Sequence, residues 1–166
     1  MNVTLISVLV AIASAQGFQF KQLTDQMTDQ DRSFVVTTNE DSTATLAWQC
    51  REDGLQVLYR FETYAIGEVL GGWRVVSIQH RFPPAHAAPP RRWLLLPGQK
   101  AAVTPRPEDM TAFTRQALAF PRVIMRVLDT DGDVVTHEFS LGGLSDALQN
   151  LSCAKPLLAG LKLGAQ

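Results

Sequence analysis

The densest group of acidic residues is the segment Asp129-Thr130-Asp131-Gly132-Asp133, which separates two stretches rich in β-forming residues. Clustered carboxylates could bind Ca²⁺, a cation that takes about six to eight oxygen ligands. The glutamate that closes an EF-hand loop is missing from this segment, however. Asp-Gly is also a common tight-turn sequence, because both residues tolerate left-handed backbone conformations. The segment therefore predicts a turn, and a metal site formed by Asp129, Asp131 and Asp133 is the alternative.

The three histidines, His80, His86 and His137, do not have the spacing of a metal site. A catalytic zinc site needs three convergent protein ligands, and no two of these histidines are one helical turn apart. His80 falls instead on the apolar face of an alternating segment, which is typical of a hydrogen-bonded histidine in a core. The sequence also lacks a Gly-x-Ser-x-Gly motif, a phosphate-binding glycine loop and a dinucleotide-binding fingerprint. We therefore predict no catalytic residues, no cofactor and no enzymatic activity.

Arginine and tryptophan supply the side chains best suited to recognition of a partner. A proline-rich segment, residues 83–90, is followed directly by Arg91, Arg92 and Trp93. Proline lacks an amide donor and cannot pair in a sheet through such a stretch, so the segment should be a loop. Loops beside rigid strands often carry binding residues, and arginine and tryptophan contribute strongly to protein interfaces. We predict partner contacts at Arg91, Arg92, Trp93 and Trp73, and we expect both tryptophans to be exposed.

The overall charge gives no indication of nucleic-acid binding. The formal net charge is −1, and eleven of the fifteen basic residues are arginines scattered along the chain. Proteins that bind nucleic acid usually concentrate basic residues on one surface, which neutralises the phosphates. No basic arm or helix is visible in the sequence. We therefore expect a protein or an envelope component as the partner, and the oligomeric state stays open.

The elements that must position these residues are mostly strands. Asp53-Gly54 separates two alternating stretches and so predicts a hairpin, while no βαβ crossover pattern occurs. The predicted strands cover residues 34–38, 44–50, 55–61, 73–82, 92–96, 99–103, 122–128 and 134–141, and the predicted helices cover 110–119 and 144–151. This arrangement predicts a mostly β fold, an antiparallel β-sandwich-like domain with one or two short helices.

The amino terminus has the pattern of a signal peptide. An apolar run at residues 5–13 is followed by Ala13-Ser14-Ala15, so cleavage would leave Gln16 as the new terminus. The run is too short to cross ~30 Å of hydrocarbon, and no later segment is long enough. We expect an extracytoplasmic protein, periplasmic or secreted, with a signal peptide at 1–15, a polar lead-in at 16–33, a β-rich domain at 34–153 and a tail at 154–166. The alternative for the apolar run is a buried strand of a cytoplasmic protein.

The chain contains two cysteines, Cys50 and Cys153. An exported protein meets an oxidising compartment, where an even number of cysteines usually means pairing. We therefore expect one disulfide between Cys50 and Cys153. The alternative is two unpaired, buried thiols that pack as small hydrophobic residues.

The order of several short motifs resembles that of a known family. These motifs are Leu46-Ala47-Trp48-Gln49-Cys50, His80-Arg81-Phe82, Arg92-Trp93-Leu94, and residues 139–148 followed closely by a cysteine. Together they resemble the VasI-type family of type VI secretion-associated proteins and their relatives, over residues 34–153. The resemblance implies an accessory or binding domain of the cell envelope, with the two cysteines paired and with no established catalytic residues.

The function that we expect from the sequence is therefore that of a non-enzymatic accessory or binding domain outside the cytoplasm. One alternative is an exported, metal-dependent hydrolase that uses the segment 129–133. Another is a structural subunit of an envelope assembly, held together by pairing of exposed strand edges.

Overall fold

A computed structural model describes residues 17–163 of the chain. The predicted signal peptide, residues 1–15, lies outside the described residues. The strands are β1 (Gln19–Lys21), β2 (Phe34–Thr38), β3 (Ala44–Arg51), β4 (Gly54–Phe61), β5 (Glu68–Leu70), β6 (Trp73–Arg81), β7 (Arg91–Leu95), β8 (Ala101–Val103), β9 (Arg122–Leu128) and β10 (Val134–Ser140). The helices are α1 (Pro107–Ala119), α2 (Leu144–Gln149), a 3₁₀ turn (Ser152–Ala154) and α3 (Lys155–Leu163).

The first half of the sheet is a run of antiparallel hairpins, β1 to β4. Alternation places Leu46 and Trp48 of β3 beside Val57 and Tyr59 of β4, and all four side chains are fully buried. Gly54 has a positive φ of 120°, which glycine adopts without steric cost at the turn between these strands. The hairpin predicted at Asp53-Gly54 is confirmed.

The second half of the sheet joins the first in an unexpected order. Along the sheet the strands run β1-β2-β3-β4-β8-β7-β6-β9-β10, and β5 pairs with the beginning of β6. The sheet folds over, so that the ring of Tyr59 on β4 contacts His137 and Phe139 on β10. All pairings between the described strands are antiparallel. The predicted mostly β, antiparallel fold is confirmed.

Helix α1 closes the core between the two layers of strands. Pro107 stands in its first turn, where the missing amide hydrogen costs nothing. Phe113 packs against the rings of Trp48 and Trp93, with centroid distances of 6.1 and 5.7 Å. The indole N–H of Trp48 donates a 2.9 Å hydrogen bond to Thr114, so this large core side chain keeps its polar atom satisfied.

Both ends of the domain have more structure than the sequence indicates. Residues 154–166 give no clear pattern, yet α3 forms there, and Leu157 and Leu158 pack against the core. The polar lead-in contains β1, which extends the sheet beside β2, and the hydroxyl of Ser152 donates a hydrogen bond to Asp31. Packing against the rest of the domain therefore orders segments whose own preferences are weak.

The two cysteines form a disulfide, as predicted. Cys50, near the end of β3, is bonded to Cys153 in the 3₁₀ turn, and their Cα atoms are 5.6 Å apart. The bridge attaches the carboxyl-terminal helices to the first half of the sheet. Among residues 17–163, none of the helices has the length and apolarity needed to cross a membrane.

Candidate binding surface on the outer face of the sheet

Alternation along β6 and β7 divides their side chains between the core and the opposite face of the sheet. Val76 and Ile78 of β6 and Trp93 of β7 belong to the core. Their neighbours in sequence point the other way, and we call the surface that they form the outer face. Its residues on these two strands are Trp73, Val75, Ser77, Arg92 and Leu94.

The larger of two cavities on the outer face has a volume of about 740 Å³. Leu70 and Trp73, which are paired across the β5–β6 hairpin, form part of its apolar lining together with Leu94. Arg91 and Arg92 supply its basic lining. We call this cavity the Arg92 groove. It combines exposed apolar side chains with guanidinium groups in one concave surface.

Exposed apolar side chains are concentrated beside this groove. Trp73 is 67% exposed, a value that is high for such a large apolar residue. Four of the ten large hydrophobic residues found exposed among the described residues line the groove: Ile66, Leu70, Trp73 and Leu128. Backbone pairing holds them together, since Leu70 is opposite Trp73, Val134 is opposite Leu128, and Ile66 bonds to the carbonyl of Leu128. Such a concentration is typical of an interaction surface.

The charges in the groove are only partly neutralised. Arg92 lies 3.9 Å from Glu68, but both side chains are largely exposed, so the pair contributes little to stability. Arg106, at the edge of the groove, is held by Asp109 at 2.8 Å, which raises the pKa of the guanidinium. Arg91 forms no ion pair with any residue of the described range. It is therefore free to bind an acidic group.

A second cavity, of about 620 Å³, lies on the same face and shares Trp73 and Leu94 with the first. Its lining includes Arg51, which lies on the outer face at the end of β3, and Arg74, near the start of β6, which alternation places on the same side as Val76 and Ile78. We call it the Arg74 cavity. Neither arginine is among the site residues predicted from the sequence. Alternation in β3 could have identified Arg51 as a residue of the outer face, because the preceding residue, Cys50, is buried.

Three of the four predicted partner-binding residues line one cavity, and the fourth does not. Trp73, Arg91 and Arg92 line the Arg92 groove. The predicted exposure of Trp93 is wrong, because this side chain is only 2% exposed and belongs to the core face of β7. In an alternating strand, a tryptophan that follows an outward-facing arginine must point inward. Trp93 therefore packs on the core side of β7, beneath the outer face.

The acidic segment 129–133 forms the predicted turn. The carboxylate of Asp129 accepts hydrogen bonds of 2.9 Å from the backbone amides of both Asp131 and Asp133. Gly132 has a φ of 85°, as the tight turn requires. Within residues 17–163, no three histidine, cysteine or acidic side chains are grouped so that they could hold a metal ion. The Oδ1 atom of Asp129 thus serves the turn.

Two histidines are largely removed from solvent inside the domain. His137 is 8% exposed, and its Nδ1 lies 2.5 Å from the hydroxyl of Tyr59. His80 packs edge-to-face against the rings of Phe82 and Phe113, and its buried Nδ1 has no hydrogen-bond partner among the described residues. Burial lowers the pKa of both histidines. His80 lies on the apolar side of β6, as predicted, and it is partly buried against Phe82 and Phe113.

Comparison of the chain with protein-family models, with curated proteins and with solved structures gives no match. The resemblance to the VasI-type family therefore stays a prediction.

Proposed function

We propose that this protein is a non-enzymatic binding domain outside the cytoplasm that holds a protein partner in the Arg92 groove. The observation that carries the proposal is the presence of Trp73, Arg91 and Arg92 in one concave surface beside exposed apolar residues. Tryptophan and arginine provide much of the binding energy in protein interfaces, where apolar contact is combined with charge-assisted hydrogen bonds.

The charges favour a partner segment of a particular kind. Apolar side chains of the partner would cover Leu70 and Trp73, which are half or more exposed in the free domain. Arg91 would bind an acidic side chain, since it has no ion pair with the described part of the chain. The proposed partner therefore presents an apolar and acidic segment to the groove.

Site-specific photo-crosslinking tests this proposal. A photoreactive phenylalanine derivative replaces Leu70 in the groove, and in a control protein it replaces Phe20, which is also partly exposed but lies on β1 at the far end of the sheet. We expect one cross-linked partner from position 70 and none from position 20. An equal yield from both positions would reject the groove, and a product of twice the chain's mass would favour a self-assembling structural subunit.

The identified partner then allows a quantitative test with purified proteins. Trp73→Ala and Arg92→Glu should each weaken binding by ~10-fold or more, as expected for interface residues of high energetic weight. Arg122→Glu is the matched control, because Arg122 is an exposed strand arginine paired with Glu138 outside the groove. Equal affinities for all three variants would remove the Arg92 groove as the binding surface.

The disulfide supports the proposed location outside the cytoplasm, because such bridges persist in oxidising compartments. The intact mass of the protein from its native source tests the location. We expect a chain that begins at Gln16 and whose two thiols become alkylatable only after reduction. A full-length chain with free thiols would contradict the proposal of export.

A further inference from the structure

Strand β10 forms one border of the sheet, and the outer side of its backbone is unpaired. At one end of the β9–β10 ladder, the amide of Asp129 donates to the carbonyl of Asp133. At the other end, the amide of Leu141 donates to the carbonyl of Pro121, and the seven residue pairs between these two bonds are in continuous register. Hydrogen-bonded and non-hydrogen-bonded pairs alternate in an antiparallel ladder. The residues of β10 whose amides and carbonyls point away from β9 are therefore Val134, Thr136, Glu138 and Ser140.

These residues present a regular row of free hydrogen-bonding groups. Their amides and carbonyls have no backbone partner among the described residues, and their side chains are exposed. Each residue offers one donor and one acceptor, and the row repeats every second residue, at intervals of about 6.8 Å. A second extended chain has the same repeat, so the chemistry of this edge selects a β-strand as its ligand.

The edge of β10 does not have the features that usually protect a free strand. Natural proteins keep such edges short, or place proline, lysine or a bulge on them, which prevents pairing with another chain. β10 is seven residues long, contains neither proline nor lysine, and has no bulge. In contrast, β1 at the other end of the sheet has three residues, one of which is Lys21, and β5 also has three. Among the described strands, β10 is thus the edge best suited to pairing.

The sequence of this edge is complementary to itself. In an antiparallel pair of two β10 strands about a two-fold axis at His137, Thr136 faces Glu138 of the second copy. Val134 faces Ser140 of the second copy, all seven residues are aligned, and every free backbone group on either edge has a partner. Like charges directly opposite would destabilise the pair, and this register contains none. A shift by one residue would instead bring groups already bonded to β9 into the new ladder.

Charged side chains beside the edge favour this arrangement. Arg126 of β9 is paired with Thr136, shares its face of the sheet, and forms no ion pair with any described residue. In the dimer, Thr136 lies between its own Arg126 and Glu138 of the second copy, and its small side chain leaves room for the long guanidinium to reach that carboxylate. Glu138 already accepts a 2.9 Å bond from its own Arg122, and a carboxylate has the capacity for a further donor. The two-fold axis repeats the contact, so each copy supplies both the arginine and the glutamate.

We propose that this protein forms a symmetric dimer in which β10 pairs antiparallel with β10 of a second copy, so that the sheets of the two domains become continuous. The free edge supplies the backbone hydrogen bonds, and Arg126 and Glu138 favour the register centred on His137. The interface is separate from the proposed protein-binding role, because no residue of β10 lines the Arg92 groove. A dimer carries one such groove on each copy and binds a dimeric or repetitive partner more tightly than a single domain does.

Sedimentation equilibrium of the chain with its disulfide intact tests for the dimer. We expect a monomer–dimer equilibrium that shifts towards the dimer as the concentration rises. Thr136→Pro removes a free donor from each edge and no bond to β9, so the dissociation constant of the dimer should rise by ~10-fold or more. Thr136→Ala is the matched control, because it keeps the amide, and its dissociation constant should change by less than ~3-fold. Equal dissociation constants for the proline variant and the original chain would overturn the proposal, and so would a monomer at every concentration.

Amide hydrogen exchange locates the interface in the original chain, without any substitution. The amides of Thr136 and Glu138 are free in the monomer and should become protected as the dimer forms. Those of His137 and Phe139 bond to β9 and should be protected at every concentration. A dimer in which Thr136 and Glu138 still exchange freely would overturn the proposal. Protection of these two amides only after addition of a different protein would assign the edge to that protein and would also overturn it.

Discussion

Removal of the disulfide between Cys50 and Cys153 should lower the stability of the domain by a large and calculable amount. The bridge joins residues separated by 103 positions. In the chain-entropy model, a cross-link that closes a loop of this length lowers the entropy of the unfolded chain, which raises the free energy of unfolding by about 4.7 kcal/mol at 25 °C. Replacement of both residues by alanine also deletes the sulfur of Cys50 from the core, which adds about 1 kcal/mol for the cavity.

Urea denaturation of oxidised protein, reduced protein and the Cys50→Ala/Cys153→Ala variant measures these contributions separately. Reduction removes the bridge and keeps both side chains, so it should cause most of the loss. With a denaturant slope of about 2 kcal/mol per molar urea, the midpoint should fall by roughly 2 M. The alanine variant should unfold at a slightly lower concentration than the reduced protein.

The result that would refute this reasoning is a midpoint shift below about 0.5 M in both the reduced protein and the double variant. The bridge would then add little beyond the packing of the carboxyl-terminal helices. A large shift in the variant alone would show that the core position of Cys50, rather than loop closure, provides the stability.

Three further predictions concern single groups in the core and in a turn. Tyr59→Phe should lower the free energy of unfolding by about 1–3 kcal/mol, because it leaves the buried Nδ1 of His137 without a hydrogen-bond partner. Urea denaturation measures this loss, and a negligible loss would contradict the role of the hydrogen bond. The free energy of unfolding should be highest above pH 6.5 and should fall as the pH drops below that value. Burial lowers the pKa of His80 and His137 in the folded state, so below pH 6.5 the unfolded chain binds more protons than the folded one. A urea midpoint that rises as the pH is lowered from about 7 to 5.5 would contradict this. Gly132→Ala should lower the free energy of unfolding by about 1–2 kcal/mol. The cause is the positive φ alone, because no atom lies within 4 Å of the new Cβ. Calorimetric unfolding measures the loss, and an unchanged melting temperature would argue against it.

Most of the strands could be predicted from the sequence, because one face of each is buried. Alternation over residues 44–50 and 55–61 identified β3 and β4 within one residue at each end. β5 was not predicted, since Glu68–Leu70 is short and exposed on both faces and so has no apolar alternation. The order of strands in the sheet could not be predicted from the sequence either, because the pairing of β4 with β8 depends on contacts between distant parts of the chain.

The candidate site was predicted only in part, for a reason of local geometry. Arg91, Arg92 and Trp73 were identified by residue type, which suffices when such residues are exposed. Trp93 was misplaced because residue type was considered without the alternation of its own strand. Arg51 and Arg74 join a single cavity only through the pairing of β4 with β8 and of β7 with β6, which no local pattern reveals.

The short strand β8 divides the sheet into two units that should open independently. β1 to β4 pair in sequence, and β5 to β8 pair in sequence, but in the described residues the two runs share ladder hydrogen bonds only where β8 meets β4. That ladder covers three residue pairs, whereas β3 and β4 share eight. We expect native-state amide exchange at Ala102 to proceed through separation of the two runs, at lower free energy than exchange at Val57 within the first. A domain built as one continuous sheet would then unfold as two cooperative blocks hinged at β8.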